Sequence, residues 1–236
     1  MENTDKKKLL IANIAALTVI VVVLTVLAIN GTGAVVEVAG NNAVYRGSPD
    51  RNGVSLMFNV YWGEEYIPEI LDLLDAYNVK TTFFIGGSWA AKNMELVREI
   101  SDRGHEIGSH GYNHKDAEKL SYDRNMDEMV PAERLLEQLT GKEVRLFAPP
   151  SGSIGQEMFK AAEDLGYTVV MWSRDTVDWR DKNADLVYKR ATSDTQSGEL
   201  ILMHPTEHTL KSLEKILQYY QNSDLKPMTV GENILG

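Results

Sequence analysis

Residues 104–114 read Gly-His-Glu-Ile-Gly-Ser-His-Gly-Tyr-Asn-His, a short strand-like segment followed at once by two histidines four residues apart. Residues 106–109 are the strand candidate, and Gly104 falls just past an amphipathic segment, where a helix is expected to end. In folds built from repeated βα units, the functional side chains follow the carboxyl ends of the strands. We therefore expect His110 and His114 to lie at the functional end of such a fold.

Short apolar segments alternate with longer amphipathic segments on both sides of this stretch. Predicted strands occupy residues 54–60, 81–85, 106–109, 146–148, 168–171 and 199–203, with a weaker strand near 228–230. Predicted helices occupy residues 65–77, 93–103, 122–140, 156–165, 184–193 and 209–220, where apolar residues recur at steps of three and four. The alternation predicts an α/β fold, a closed or nearly closed barrel of about seven strands.

The composition is that of an ordinary globular protein with an acidic surface. The chain has 236 residues, of which 43% are hydrophobic and 25% charged, and its formal net charge is −10. This charge argues against nucleic acid as a partner. The sequence has no cysteine, which excludes disulfides, thiolate zinc sites, iron–sulfur clusters and a cysteine nucleophile. Any bound metal must therefore use histidine, carboxylate or carbonyl ligands.

The amino-terminal segment is predicted to anchor the chain in the cell membrane by a single transmembrane helix. Residues 9–29 lack Asp, Glu, Lys and Arg, and they are long enough to cross a hydrocarbon core of ~30 Å. They also exceed the apolar region of a cleavable signal peptide, although a buried helix of a soluble protein is an alternative. Three lysines at positions 6–8 place residues 1–8 in the cytoplasm and the rest outside. Residues 30–51 are predicted to be a linker, and residues 52–236 a domain.

Other polar side chains also follow predicted strands, and each of them could have a functional role or a purely structural one. His204 is an isolated histidine in Leu-Met-His-Pro, and Asp175 and Asp178 stand between two tryptophans. Histidines four residues apart on one helical face can chelate a divalent ion, as His110 and His114 would. Isolated pairs of histidine residues are, however, more often surface residues or hydrogen-bonded residues than metal ligands. A histidine at a strand end, or an aspartate in a loop, can equally be a polar residue whose hydrogen bonds are satisfied within the fold.

The order of these blocks along the chain carries more information than any of them alone. The blocks are Thr81-Thr82-Phe83-Phe84-Ile85-Gly86-Gly87, Gly104–His114, Phe147-Ala148-Pro149-Pro150-Ser151-Gly152, Asp175-x-x-Asp178-Trp179 and Leu202-Met203-His204. In this order they resemble the motifs of the polysaccharide deacetylases, the carbohydrate esterase family with the NodB homology domain, over about residues 52–235. The resemblance implies a distorted (β/α) barrel of NodB type in a bacterial protein. It also implies metal-dependent removal of acetyl groups from peptidoglycan or another N-acetylated polysaccharide, outside the cytoplasm.

The resemblance also assigns roles to individual residues. His110 and His114 would hold a divalent metal, with Zn²⁺ the expected ion. His204 would protonate the leaving amine, and a carboxylate, Asp178 before Asp175, would raise the basicity of its imidazole. Independently of these roles, Tyr61, Trp62 and Trp179 have flat apolar faces that suit a sugar ring, and Pro149 is a further expected contact, although ordinary packing is an equal alternative for the aromatic rings.

Two positions depart from the family pattern. Active relatives have Phe-Asp-Asp-Gly in the first strand, which supplies a general base and a metal-binding carboxylate, and this chain has Phe-Asn-Val-Tyr with Asn59 at the base position. The arginine that orients the base is replaced by Ala148. Glu64 is a tentative replacement metal ligand and Glu65 a further candidate, although both are more simply solvated acids at a helix start. Metal binding is thus expected to be weak or absent.

Two functional hypotheses follow. The first is a membrane-anchored polysaccharide deacetylase whose activity is weak or lost. The second is a non-catalytic descendant of the same fold that binds glycan or acts as a scaffold.

Overall fold

The architecture is a curled parallel sheet whose outer face is covered by helices. The computed structural model describes residues 43–234. The strands are β1 (Gly53–Val60), β2 (Thr82–Ile85), β3 (Glu106–Ser109), β4 (Leu146–Phe147), β5 (Thr168–Val169), β6 (Arg174–Asp175), β7 (Leu200–Met203) and β8 (Lys226–Pro227). The helices are α1 (Ile67–Ala76), α2 (Gly87–Ala90), α3 (Met94–Asp102), α4 (Tyr122–Thr140), α5 (Gln156–Asp164), α6 (Asp178–Asp181), α7 (Ala184–Thr192), α8 (Glu207–Gln221) and α9 (Val230–Ile234).

The strand order makes β1 the centre of the sheet. Seven strands run in the order β5-β4-β3-β2-β1-β7-β6, and β8 pairs with the start of β1. All the pairings are parallel. The predicted α/β fold with about seven parallel strands is therefore confirmed, but the described strands form a curled half-barrel, with β5 and β6 as its two ends, and not a closed barrel.

Two apolar layers hold this sheet. All eight residues of β1 are buried, as expected for a central parallel strand covered on both faces. One layer lies between the sheet and the helices and includes Phe58 and Val60. The other is smaller and includes Met57 together with Phe84 and Leu202. Because side chains alternate along a strand, Asn59 shares the face of Met57 and stands at its carboxyl end.

Helix ends follow the local chemistry of the sequence. The helix α4 spans Tyr122–Thr140 as predicted, because Ser121 caps its first turn and Gly141 ends it with a left-handed φ of 66°. Gly104 and Gly166 also adopt positive φ, at 85° and 69°, after α3 and α5. The three predicted glycine stops are confirmed.

The weak strand predicted near residues 228–230 lies about two residues earlier. The strand there is Lys226–Pro227, which pairs with Gly53 and Val54, and a helix begins at Val230. Tertiary hydrogen bonds decide this, since the Val230 amide donates to the Thr82 hydroxyl at 2.7 Å. The strand β6 and the four-residue helices α2 and α6 were not predicted, because segments this short carry no periodicity.

Residues 43–51, which the sequence assigned to the linker, belong to the described fold. Val44 forms a parallel bridge with Val170, and Arg46 forms an antiparallel bridge with Glu199. The Arg46 guanidinium also pairs with the buried Glu199 carboxylate at 3.1 Å. The predicted membrane span, residues 9–29, lies outside the described residues. Within residues 43–234, no helix has the length and apolar character needed to cross a membrane.

Candidate active site

A cavity of about 450 Å³ opens where the carboxyl ends of the central strands meet. Its walls come from β1, β6 and β7 near their carboxyl ends and from the segments that follow β1, β3, β4, β5, β6 and β7. The lining residues are Asn59, Tyr61, Trp62, His110, His114, Ser151, Gly152, Trp172, Asp175, Trp179, Leu202 and His204. The histidines, the tryptophans and the degenerate base position are thus brought to one place by the parallel sheet.

His110 is held in one tautomer by the backbone. Its Nδ1 lies 2.7 Å from the carbonyl oxygen of Ala148. Because a carbonyl can only accept, Nδ1 donates and Nε2 of the neutral ring keeps its lone pair. Burial lowers the pKa of His110 to about 3 and also lowers the pKa of His114. The two rings lie 5.0 Å apart between centroids, so a pair of neutral imidazoles faces the cavity.

A buried glutamate fixes the loop that carries His114. Glu128, on α4, accepts hydrogen bonds from the backbone amides of Tyr112 at 3.1 Å and Asn113 at 2.6 Å. It also accepts one from the Asn113 side chain at 3.0 Å. His114 itself has a φ of 56°, a backbone region that costs free energy for a residue with a Cβ. Sequence reasoning missed Glu128, because nothing distinguishes it from the solvated acids around it on an amphipathic helix.

His204 is paired with Asp178. Its Nδ1 lies 2.8 Å from Asp178 Oδ1, and its backbone amide donates to Oδ2 at 2.7 Å. The Asp178 carboxylate is 1% exposed, and it also accepts from the Trp179 amide and the Thr209 hydroxyl. The structure places Asp178 beside the ring of His204, whereas Asp175 lines the cavity and accepts from the Val177 amide at 2.7 Å.

Aromatic rings form the walls of the cavity. Trp62 stacks on His204 with ring centroids 5.7 Å apart and an interplanar angle of 9°. Trp62 and Trp179 are 43% and 51% exposed, so both can present a ring face to a ligand. Tyr61 lies 4.9 Å from the ring of His114 and accepts from the Ser88 hydroxyl. Pro149 is buried and is not among the residues that line the cavity.

Asn59 stands at the inner end of the cavity, where active relatives would have the base. It is 5% exposed, and within residues 43–234 its Oδ1 has no hydrogen-bond partner. Ala148 is fully buried, with its amide bonded to the Ser109 carbonyl. Among the described residues, no lysine or arginine lines the cavity. Asn59 and Ala148 thus occupy the two positions where the resemblance leads us to expect a base and the arginine that orients it.

The residues present do not fit a complete metal site. Glu64 is exposed and its carboxylate accepts from the Trp89 indole at 3.2 Å, which helps, after a backbone hydrogen bond, to lower its pKa. Glu65 is exposed as well. In the part of the chain that the structure describes, no group of three His, Cys, Asp or Glu side chains is arranged to hold an ion. His110 and His114 remain as two neutral donors without a carboxylate.

The chain is similar to curated proteins and a family model. The model described as polysaccharide deacetylase matches residues 46–170. YlxY of Bacillus subtilis, an uncharacterized protein, is 37% identical over 80% of this chain and 59% of its own length, so the chain spans less than two thirds of that relative. A peptidoglycan-N-acetylglucosamine deacetylase of Bacillus cereus is 31% identical over 79% of this chain and 70% of that protein.

Solved structures show the same relationship. BA3943 of Bacillus anthracis, described as a CE4 family pseudoenzyme, superimposes with a TM-score of 0.79 and 36% identity over 81% of this chain and 68% of that chain. A BA3943 mutant described as having restored enzymatic activity gives a TM-score of 0.79 and 34% identity over 81% of this chain and 71% of that chain. CE4 deacetylases are generally metal-dependent. From the barrel, the histidine positions and these similarities together, the chain belongs to the polysaccharide deacetylase family.

Proposed function

We propose that this chain is a cell-wall glycan-binding member of the polysaccharide deacetylase family in which hydrolysis of N-acetyl groups is weak or lost. The observation that carries the proposal is Asn59. A carboxamide stands at the inner end of the cavity, where the family's reaction needs a carboxylate. A carboxamide orients a water molecule through hydrogen bonds but has no useful proton affinity.

The size of the expected defect follows from the role of the base. General base catalysis contributes roughly 10²–10⁴-fold to a rate, or about 3–5 kcal/mol. The position of the second family carboxylate is Val60, which is fully buried among apolar residues. The loss therefore affects both activation of water and the charge that would attract a cation.

The parts that recognise a sugar are retained. The exposed rings of Trp62 and Trp179 flank the cavity, and flat aromatic faces suit the apolar faces of a pyranose ring. The pairing of His204 with Asp178 is also intact. This combination favours ligand binding over turnover, and the similarity to a protein described as a CE4 family pseudoenzyme supports the same conclusion.

We further propose that the domain acts at the outer face of a bacterial cytoplasmic membrane. Residues 9–29 would span the bilayer, and the lysines at positions 6–8 would keep the amino terminus inside. Relatives include peptidoglycan deacetylases, whose polymer lies outside that membrane. Peptidoglycan is therefore the proposed partner.

Two assays on one preparation test the proposal. The full-length chain should sediment with purified peptidoglycan, and a variant with both Trp62→Ala and Trp179→Ala should bind at least tenfold less. Acetate release from the same peptidoglycan should stay near background with or without added Zn²⁺. Failure to bind peptidoglycan would contradict the binding function, and rapid acetate release would instead favour an active anchored deacetylase.

A further inference from the structure

The buried carboxylate of Asp178 meets four polar groups. Its Oδ1 accepts from the Trp179 amide and faces His204 Nδ1, each at 2.8 Å. Its Oδ2 accepts from the His204 amide at 2.7 Å and from the Thr209 hydroxyl at 2.5 Å. An ionised carboxylate has about four acceptor positions and no donor. The surroundings of Asp178 therefore match a charged carboxylate that accepts from every side.

The first turn of α8 determines which way the Thr209 hydroxyl points. Thr206 caps this helix, and its Oγ1 accepts from the Thr209 backbone amide at 3.0 Å. Because an amide N–H can only donate, the Thr206 hydroxyl keeps its own proton free. That proton is donated to Thr209 Oγ1, which is also 3.0 Å away. Thr209 accepts there and donates its own proton to Asp178.

The same arrangement fixes the proton of a neutral His204 ring on Nδ1. The alternative is an uncharged Asp178 carboxyl group that donates to Nδ1, with the imidazole proton on Nε2. That state would place an uncharged carboxyl group among three donors, and hydrogen bonds to an ionised acceptor are roughly twice as strong as neutral ones. The charged carboxylate is therefore favoured, Nδ1 donates to it, and Nε2 keeps the lone pair.

The lone pair of His204 belongs to the wall of the cavity. His204 lines the cavity, and its ring stacks on Trp62 with centroids 5.7 Å apart. Because Nδ1 is engaged by Asp178, Nε2 is the ring nitrogen left for a ligand. It can accept a hydrogen bond from a sugar hydroxyl or from the N–H of an acetamido group.

We propose that Thr209, directed by Thr206, is a positioning residue that holds His204 in the Nδ1–H tautomer. The proposal rests on the glycan-binding function above, since this tautomer offers the Nε2 acceptor to a sugar. Thr209 is fully buried and does not line the cavity, so its effect on a ligand passes through Asp178. The group that selects the tautomer thus lies on α8, outside the cavity.

Nitrogen-15 NMR of the full-length chain, labelled at histidine and solubilised in detergent, reads the tautomer directly. In alkaline solution without ligand, we expect His204 to carry its proton on Nδ1. Thr209→Val removes the hydroxyl and keeps a side chain of similar size. In this variant the averaged ring shifts should move towards the Nε2–H form. The Nδ1 proton should exchange with water roughly tenfold faster, because a hydrogen bond to a charged group is lost.

Two further variants separate positioning from general stability. Thr209→Ser restores the hydroxyl, and it should restore the ring shifts and the proton exchange of the parent. Thr192→Val removes another buried hydroxyl, which donates to the Tyr188 carbonyl at 2.8 Å in α7, and it should change neither. Affinity for peptidoglycan should fall about threefold in Thr209→Val alone, as expected when one neutral hydrogen bond is lost.

The proposal is overturned if the parent carries the His204 proton on Nε2, a result that needs no variant to fold. It is also overturned if Thr209→Val keeps the spectra of the parent, or if Thr192→Val changes them equally. A parent that fails to bind peptidoglycan contradicts the proposed function instead. In that case the tautomer of the unliganded protein still decides the role of Thr209.

Discussion

Asn59 differs from the aspartate that the resemblance leads us to expect at its position by one group, an NH₂ in place of a carboxylate oxygen. The amide is nearly isosteric with aspartate, so the barrel can retain its packing while the proton acceptor is lost. The arginine that the resemblance expects to orient the base is missing as well, because Ala148 stands at its position. The remaining pair, His204 and Asp178, keeps four hydrogen bonds to the buried carboxylate and therefore has a structural value independent of turnover.

Zinc binding is expected to be weak at His110 and His114. Two neutral imidazoles supply no charge to offset a cation, and a third ligand is not provided by Glu64, which bonds to Trp89. The full-length chain, equilibrated with Zn²⁺ and then dialysed, should retain well under one equivalent by mass spectrometry of metals. A retained equivalent that disappears in His110→Ala would contradict this prediction.

His105 is expected to make the fold sensitive to acid. Its Nδ1 accepts from the Thr81 amide, and burial lowers its pKa from 6.5 to about 4. Below pH 6.5 the unfolded chain binds a proton that the folded chain refuses, so stability falls as pH falls towards 4, by up to about 1.4 kcal/mol per pH unit. The charged groups that act on its ring are Lys80, Asp75, Arg103 and Lys142.

Urea denaturation at pH 6.5 and pH 5 checks this contribution. His105→Asn keeps an acceptor for the Thr81 amide and removes the titrating ring. We expect the loss of unfolding free energy between the two pH values to shrink by about 1.5 kcal/mol in the variant. Identical pH dependence in both proteins would show that His105 does not contribute.

Among the elements, helix α4 positions the loop that carries His114, although the two are not adjacent in the sequence. Glu128 lies on a helix that packs against α3 and β3, and its carboxylate holds the two amides that precede His114. Each hydrogen bond to a charged group is worth about 1.5–3 kcal/mol, so this carboxylate stabilises a loop that contains strained backbone. A substitution at Glu128 should therefore lower the stability of the fold and loosen the loop at the same time.

Glu128→Ala should destabilise the fold by about 2–4 kcal/mol and speed hydrogen exchange at the amides of Tyr112 and Asn113. Asp127→Ala is the matched control on the same helix, because Asp127 is exposed and, among residues 43–234, forms an ion pair with Arg124 alone. The control should change stability by less than about 0.5 kcal/mol. Unchanged exchange at Tyr112 and Asn113 in the Glu128 variant would rule out the positioning role.

An element can be predicted from the sequence when the residues that determine it are its neighbours along the chain, and it is missed when tertiary contacts determine it. The helix α4 was predicted at both ends because its capping residues, Ser121 and Gly141, are adjacent to it. The strand Arg174–Asp175 was missed because two polar residues form a strand only through pairing with β7. The site histidines were predicted from their order along the chain, whereas the role of Glu128 arises only from tertiary contact.

For the whole molecule, the proposed position of the domain outside the membrane rests on residues 1–30, with their apolar segment and the lysines at positions 6–8. External protease added to intact cells without their wall should digest the domain and leave a short membrane-bound amino-terminal fragment. A tag at the amino terminus should stay protected until the membrane is permeabilised. A tag that is cleaved in intact cells, or a domain that is protected in them, would contradict this orientation.

Acetate release by the parent chain and by the double variant Asn59→Asp with Ala148→Arg tests the central claim most directly. Both proteins are incubated with N-acetylglucosamine pentamer, with Zn²⁺ or Co²⁺ and with chelator. The parent should release acetate near the background rate, and the double variant should gain roughly 10²-fold, the lower end of what a general base contributes. A parent chain that turns over rapidly with metal, and slows when Asn59 becomes aspartate, would contradict the account.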